Sequence, residues 1–340
     1  MLFNAVLYDK LKKNYVQCNL CAHRCKIKDG NRGICKVREN YKGKLFTLVY
    51  GNLISANPDP IEKKPLYHFL PGSKSYSIAT PGCNFHCEWC QNWQISQMYQ
   101  SEEIPEFKKR SPKDVINHAI QNGCKSIAYT YTEPTVFFEY CYDVSKLAAE
   151  HGLMNIFITN GFMTPEVLQY IHPLLDAANV DIKAFTEKTY KTVIGGHLEP
   201  VLENCRLMKA MGIWLEITTL IVPGVNDDPK ELEAIAQFIY NDLGPETPWH
   251  ISRFFPRYQM KDMQATDERI LFEAKAIGET TGLHYVYIGN IYGSSDTRCK
   301  NCGHKLIVRH GYSTRIIGLD EYGKCENCGT SLDGAWLLAS

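Results

Sequence analysis

Between residues 73 and 292, short apolar runs alternate with longer amphipathic stretches. Runs rich in Ile, Val, Phe and Tyr predict buried strands, and apolar residues spaced three or four positions apart predict helices. The predicted strands cover residues 75–80, 125–131, 153–159, 179–183, 213–222, 249–254 and 283–288. The predicted helices cover residues 134–151, 199–211, 229–241 and 267–281. A further helix is predicted to begin at Thr164-Pro165-Glu166, because Thr suits the N-cap and Pro suits the first helical position.

This alternation predicts an α/β fold. Near-continuous apolar strands that alternate with amphipathic helices are typical of a parallel sheet covered by helices. Six or more such units form a partial or full (β/α) barrel, in which the chemistry lies at the carboxyl ends of the strands. Each flank of the repeat carries four clustered cysteines. We therefore predict a four-cysteine metal-binding segment (residues 1–72), a core barrel (73–292) and a C-terminal four-cysteine zinc ribbon (293–340).

Composition limits the cellular setting. The 340 residues include 37 basic and 37 acidic side chains, so the net charge gives no reason to expect nucleic-acid or membrane binding. The N-terminal stretch is too short and polar for a secretory signal, and no apolar run reaches membrane-spanning length. The 14 cysteines fall largely in tight sets, which favours metal binding over disulfides. These features predict a cytoplasmic protein.

The loop after the first predicted strand carries the spacing C-x3-C-x2-C, formed by Cys83, Cys87 and Cys90. A [4Fe–4S] cluster normally takes four thiolates, so three thiolates leave one iron open. The motif resembles that of the radical S-adenosylmethionine (SAM) superfamily. The resemblance implies that SAM binds the open iron and that one electron cleaves it to methionine and a 5′-deoxyadenosyl radical. The alternative is half of a zinc site, but His86 lies inside the motif and cannot easily close a tetrahedron.

Polar side chains occupy the ends of the following strands. Glu133 lies in a T-E-P sequence, where its carboxylate could accept hydrogen bonds from an ammonium group, and Asn160 lies in T-N-G. Asp181 and Lys183 share one strand face because side chains alternate along a strand. His250 lies in the sixth strand. Alternatives are an Asp181–Lys183 pair that only stabilises the barrel and a His250 that is a core residue.

The order C-x3-C-x2-C, T-E-P, T-N-G, D-I-K, V-P-G-x-N-D and W-H-I-S-R-F-F-P resembles the pyruvate formate-lyase activating-enzyme branch of the superfamily. Nearly the whole chain is similar to the radical SAM member of the AmmeMemoRadiSam system. That family shares the N-terminal cysteine set and the sequence Y-I-G-N before a cysteine pair. The activating enzymes have Asp before T-N-G, where it helps the Asp of Asp-x-Lys to hold a monovalent cation. Ile158 stands there in this chain, so neither a cation at Asp181 nor activase function follows directly.

The resemblance implies roles for individual residues. The implied cluster ligands are Cys83, Cys87 and Cys90. Trp89 would pack near the adenine, and Glu133 would bind the SAM amino group. The other implied cofactor-binding residues are Asn160, Asp181, Lys183 and His250.

The two outer cysteine sets predict further metals. Two C-x2-C-G knuckles with 22 residues between them predict a structural zinc ribbon, with rubredoxin-type iron as the alternative. Its ligands are Cys299, Cys302, Cys325 and Cys328. The N-terminal set, C-x2-C-x3-C-x9-C, favours zinc, with an auxiliary [4Fe–4S] cluster as the alternative. Its ligands are Cys18, Cys21, Cys25 and Cys35. The remaining cysteines are predicted to be buried apolar residues.

These patterns favour a radical SAM enzyme that abstracts hydrogen from a small-molecule substrate. Such an enzyme needs a one-electron donor such as ferredoxin or flavodoxin. The resemblance adds Memo-like and AMME-candidate proteins as partners. The alternatives are an activating enzyme that installs a glycyl radical on a partner protein and a structural metal-binding interaction module.

Overall fold

The structure is a computed structural model that describes residues 3–97 and 104–334. Its centre is an eight-stranded sheet whose strands neighbour one another in chain order. The seven parallel strands are Lys74–Ala79, Ser126–Tyr129, Met154–Thr159, Ala177–Asp181, Trp214–Ile221, Trp249–Arg253 and Val286–Gly289. An antiparallel strand, Ser55–Pro60, pairs with the first of them and forms one edge. Within the described ranges the two edge strands do not pair, so the predicted α/β fold is confirmed as a partial barrel.

Helices connect the parallel strands and cover their outer face. They are Trp93–Ser96, Pro112–Gln121, Phe138–Glu150, Pro165–Ile171, Glu187–Thr189, Glu199–Ala210, Pro229–Phe238 and Glu268–Thr281. Thr164 caps the fourth by accepting a hydrogen bond from the Val167 N–H, as its sequence predicts. None of the helices in the described ranges is long and apolar enough to cross a membrane.

Side-chain alternation separates the two faces of the sheet. In the strand Trp214–Ile221, Leu215 and Ile217 are buried among core residues. Glu216 and Thr218 lie on the opposite, inner face, because successive side chains point to opposite sides. This inner face carries polar side chains such as Glu216 and Thr218, and it also carries residues that form the site described below.

The N-terminal segment forms two small antiparallel sheets. One contains Phe3–Asn4, Arg38–Tyr41 and Lys44–Thr47, and the other contains Tyr8–Lys10, Val16–Cys18 and Lys26–Ile27. A third pairing joins Asn52–Leu53 to Lys108–Lys109. The segment is tied to the barrel by Arg38, whose guanidinium donates two hydrogen bonds of 2.8 and 2.9 Å to Glu139. Both side chains are 2 % exposed.

The C-terminal segment is a three-stranded antiparallel sheet that covers the amino-terminal ends of the barrel strands. Its strands are Thr297–Arg298, Lys305–His310 and Ser313–Ile316. Arg309 is completely buried and donates to the Tyr67 carbonyl at 2.6 Å. His68 and Tyr285 contact the backbone and the carboxylate of Asp333, respectively. The segment therefore closes one end of the barrel interior.

Candidate active site

The cysteine loop follows directly from the first parallel strand, which ends at Ala79. Gly82 has φ +100°, and a Cβ there would lie 2.6 Å from Val37 Cγ1, so the loop packs tightly against the N-terminal segment. On its other side, the His86 N–H donates to the Ile194 carbonyl at 2.8 Å. The loop is therefore held between two parts of the fold.

Cys83, Cys87 and Cys90 line a cavity of about 320 Å³ at the carboxyl ends of the parallel strands. Trp89 also lines it and is 3 % exposed. Burial raises the pKa of the Cys87 thiol to about 12. Thiol ligands must lose their protons to bind metal, so a bound cation would be needed to hold this sulfur as a thiolate.

Glu133 lies in the same cavity wall and is almost completely buried. Its Oε1 accepts hydrogen bonds from the Thr135 hydroxyl at 2.6 Å, the Thr135 N–H at 3.1 Å and the Thr159 hydroxyl at 2.8 Å. Its Oε2 accepts one, from the Asn160 N–H at 2.9 Å. Burial raises the pKa of Glu133, and these hydrogen bonds offset only part of the rise.

Asn160 connects this carboxylate to the cysteine loop. Its Nδ2 donates to Asn84 Oδ1 at 2.7 Å and lies 3.9 Å from Cys83 Sγ. Its Oδ1 accepts from the Phe162 N–H at 3.0 Å, which fixes the orientation of the amide. The side chain is therefore a rigid link between two cavity walls.

Asp181 and Lys183 form an ion pair with 3.0 Å between Oδ2 and Nζ, and both line the cavity. Burial lowers the pKa of Lys183, but the charges of Asp181 and Cys87 raise it by more, so the net shift is upward. The Lys183 side chain is 18 % exposed and that of Asp181 35 %. The ammonium is thus charged and accessible from the cavity.

His250 does not join this group. Its Nε2 lies 2.6 Å from Glu216 Oε2, and its ring packs against Tyr67 and Tyr287. Two residues further along the strand, Ser252 does line the cavity. This position fits the alternative that His250 is a core histidine with a hydrogen-bond partner, because the cavity lies nearer the carboxyl end of the strand, at the level of Ser252.

Residues on one side of the cavity were not predicted from the sequence. Lys63 and Tyr131 line it, and both are hydrogen-bonded to Asp59, which also accepts from Lys64 at 2.9 Å. Asn290 lines it as well and donates to Ser252 at 2.9 Å. Asn290 follows the last strand in the Y-I-G-N sequence, and the rule that polar residues at strand ends form sites would have found it.

The two outer cysteine sets differ in geometry. In the part of the chain that the structure describes, the only group of three or more metal-ligating side chains with ligand atoms within 4.8 Å of one another is Cys299, Cys302, Cys325 and Cys328. The ribbon is therefore a four-cysteine metal site. The N-terminal set instead lines a small cavity of about 20 Å³.

Comparison with known proteins identifies the family. Residues 77–239 match the model of the Radical SAM superfamily. The chain belongs to the radical SAM superfamily. It is 46 % identical to an uncharacterized protein of Methanocaldococcus jannaschii over 332 residues, which cover 97 % of this chain and 98 % of that protein.

More distant similarities are also found. A protein of the same organism, provisionally named a glycyl-radical enzyme activating enzyme, is 23 % identical over 69 % of this chain and 87 % of its own length. Among solved structures, Streptococcus suis SuiB bound to S-adenosylmethionine has a TM-score of 0.50 and 11 % identity. It covers 68 % of this chain and 54 % of that chain, and at this identity the likeness concerns the fold alone.

Proposed function

We propose that this protein is an enzyme that cleaves SAM reductively and uses the resulting radical to abstract hydrogen from a small-molecule substrate. The observation that carries the proposal is a single cavity at the carboxyl ends of the parallel strands. It is lined both by the three thiols of the C-x3-C-x2-C motif and by four polar residues, Glu133, Asn160, Asp181 and Lys183.

The residues present fit the implied cofactors. Cys83, Cys87 and Cys90 offer three soft thiolate ligands, the type that iron–sulfur clusters take, and they face one cavity rather than a closed core. When bound, the cluster supplies the electron that cleaves SAM to methionine and a 5′-deoxyadenosyl radical. The cavity extends from the thiols to the polar side chains of Glu133, Asn160 and Lys183.

Glu133 is the proposed acceptor for the SAM ammonium group. Its Oε1 already accepts three hydrogen bonds, whereas Oε2 accepts one from the Asn160 N–H. A carboxylate oxygen has two lone pairs, so Oε2 retains capacity for a further donor. A charge-assisted bond there would orient the methionine part of SAM.

Lys183 and Asp181 are the proposed contacts for the carboxylate and the hydroxyl groups of SAM. The Lys183 ammonium has three donors, of which one points to Asp181 at 3.0 Å. Asn160 is held by Asn84 and Phe162, so its amide can position a ligand group without moving. Trp89 offers an apolar ring for the adenine.

A second candidate function is activation of a partner protein by glycyl-radical formation. The similarity to the provisionally named activating enzyme favours it. Ile158 lines the cavity where activating enzymes carry an Asp, which disfavours it. The resemblance to the AmmeMemoRadiSam system also proposes Memo-like and AMME-candidate partners, and either function needs a one-electron donor such as ferredoxin or flavodoxin.

The C-terminal ribbon is proposed to hold structural zinc. The Cys299 and Cys328 sulfurs are 3.5 Å apart, and those of Cys302 and Cys325 are 3.7 Å apart. Four Zn–S bonds of about 2.3 Å in a tetrahedron require sulfurs about 3.8 Å apart. A closed shell of four thiolates leaves no position for a substrate.

The test is anaerobic incubation of the reconstituted protein with SAM and dithionite, followed by chromatography of the products. We expect 5′-deoxyadenosine and methionine. Cys124→Ala is a matched control, because Cys124 is buried in the core and does not line the cavity. Absence of both products from a protein with its iron in place would contradict the proposal, and a glycyl radical on an added partner protein would favour the second candidate.

A further inference from the structure

The N-terminal cysteines surround a cavity rather than the position of a single metal ion. Cys18, Cys21, Cys25 and Cys35 all line it, together with apolar side chains. Those apolar side chains include Leu20, Ile27 and Val136. Cys124, Cys141 and Cys205 are buried singly in the core, whereas these four thiols face one another across a shared space.

The spacing of the four thiols does not suit a single metal ion. Thiolates around one zinc ion lie about 3.8 Å apart, and the ribbon sulfurs meet this requirement. In contrast, no three of the N-terminal ligand atoms lie within 4.8 Å of one another in the described chain. The radical SAM thiols Cys83, Cys87 and Cys90 share this wider spacing. Thiolates that each bind a different iron of a cluster are necessarily further apart than thiolates on one ion.

Arg38 supplies an independent observation. Its side chain is 2 % exposed and lines the cavity of the four cysteines. Its Nη atoms donate to Glu139 and to the Val6 carbonyl, but among the described residues its Nε has no hydrogen-bond partner. A buried donor without a partner is costly. The inorganic and cysteinyl sulfurs of a cluster accept hydrogen bonds from such groups, which tune its potential.

The cavity lies beside the radical SAM site. A Cβ on Gly82 would lie 3.1 Å from the Cys35 carbonyl oxygen, so the two cysteine loops touch. His23 Nε2 lies 2.8 Å from the Asn84 carbonyl. Thr135 lines the N-terminal cavity and also donates to Glu133 at 2.6 Å. The two cavities therefore share a wall.

We infer that Cys18, Cys21, Cys25 and Cys35 hold a second [4Fe–4S] cluster, and not the zinc ion that their sequence spacing favours. The wide thiol spacing and the buried, unpartnered N–H of Arg38 both fit a cluster. This site is separate from the SAM cavity, so the inference stands whatever the substrate is.

The decisive variant is C83A/C87A/C90A, which removes the ligands of the first cluster. After anaerobic reconstitution with iron and sulfide, we expect about four irons per chain, the content of one [4Fe–4S] cluster, and about one zinc. Reduction with dithionite should give the electron paramagnetic resonance signal of a reduced cluster. A variant with no iron and about two zinc ions would overturn the inference.

Two further measurements keep the test independent of how that variant folds. The unaltered protein should contain about eight irons, and C21S/C25S should lose about four of them while it keeps its ribbon metal. Cys205→Ala is the matched control and should change neither metal. An unaltered, fully reconstituted protein with only about four irons and about two zinc ions would also overturn the inference.

Discussion

The two ends of the barrel interior each carry a pair of acidic and basic side chains, and the two pairs serve different purposes. At the carboxyl end, Lys183 and Asp181 line the cavity with 18 % and 35 % of their side chains exposed. At the amino end, His250 and Glu216 have side-chain exposures of 6 % and 0 %. The strands that carry these pairs are neighbours in the sheet. The more exposed pair at the cavity can bind a ligand, whereas the buried pair deeper in the barrel holds the fold together.

The number of hydrogen-bond partners shows the same contrast. Glu216 accepts hydrogen bonds from the Tyr67 N–H, the His68 N–H and the Trp214 indole as well as from His250. Within residues 3–97 and 104–334, the Lys183 ammonium has one such partner, Asp181. A buried carboxylate whose hydrogen-bonding capacity is filled stabilises the fold. A partly exposed ammonium group that still has N–H donors to offer can bind an anion.

The largest expected effect is at the carboxyl end. Replacing Cys87 with Ala should abolish SAM cleavage, because three thiolates are the full protein ligand set proposed for the first cluster. The ribbon metal should remain, since its four thiols lie in a different part of the fold. Iron content and 5′-deoxyadenosine formation measure the two outcomes, and retained cleavage would show that the cluster is held elsewhere.

At the amino end, Glu216→Ala should lower the free energy of unfolding by about 3–5 kcal/mol, the cost of removing one partner from a buried charged network. Four donors would lose their acceptor. Denaturant unfolding measures the change. The molecules that remain folded should bind SAM normally. A loss of SAM affinity in folded molecules would contradict the view that the amino end only stabilises the fold.

Glu133→Gln should weaken SAM binding roughly ten- to a hundredfold, because a charge-assisted hydrogen bond contributes about 1.5–3 kcal/mol. Gln keeps the shape of the side chain, so iron content should not change. Equilibrium binding of SAM to the reconstituted protein is the measurement. Glu231→Gln is a control, since Glu231 is a glutamate outside the cavity lining.

His250→Phe should change SAM affinity by less than about twofold, because His250 does not line the cavity. A lost ligand contact worth about 1.4 kcal/mol would instead weaken binding tenfold. The melting temperature should fall, because Glu216 would lose its 2.6 Å partner. A larger loss of SAM affinity would instead favour the ligand contact that the family resemblance implies for His250.

The smallest effect is a pH dependence at the amino end. Burial raises the pKa of Glu216, but the hydrogen bond and charge of His250 and the charge of His68 lower it by more, so the net pKa is below the ordinary value. Its stabilising contribution is therefore present above the unfolded-state pKa of about 4.3 and is lost as pH falls through the folded-state pKa. The difference in unfolding free energy between the unaltered protein and Glu216→Gln should shrink below about pH 4.3. A difference that stays constant would contradict this.

The alternating strands and helices of the barrel could be predicted from the sequence, because strand and helix periodicities are local properties. Each of the seven predicted parallel strands overlaps an observed one. The antiparallel strand Ser55–Pro60 was not predicted, because Pro58 and Pro60 suggest a loop. Proline is tolerated there because the strand lies at the sheet edge, where one side needs no hydrogen-bond partner.

The site was predicted less completely, for a physical reason. Alternation indicates which strand face a residue occupies but not its depth along the barrel, which depends on the stagger of the strands. The sequence therefore grouped His250 with Lys183, although the structure separates them. Spacing between cysteines also does not fix the distances between their sulfurs, so the geometry of the N-terminal set became visible only in the fold.

Because Arg309 is buried against the barrel, closure of the amino-terminal end of the barrel depends on the ribbon. The ribbon follows the barrel in the chain, so the barrel is synthesised first, with its amino-terminal end still open. Arg309 can reach the Tyr67 carbonyl only after the ribbon has folded, and small four-cysteine modules generally need their metal to fold. Metal supply would then determine whether the amino-terminal end of the barrel closes after synthesis.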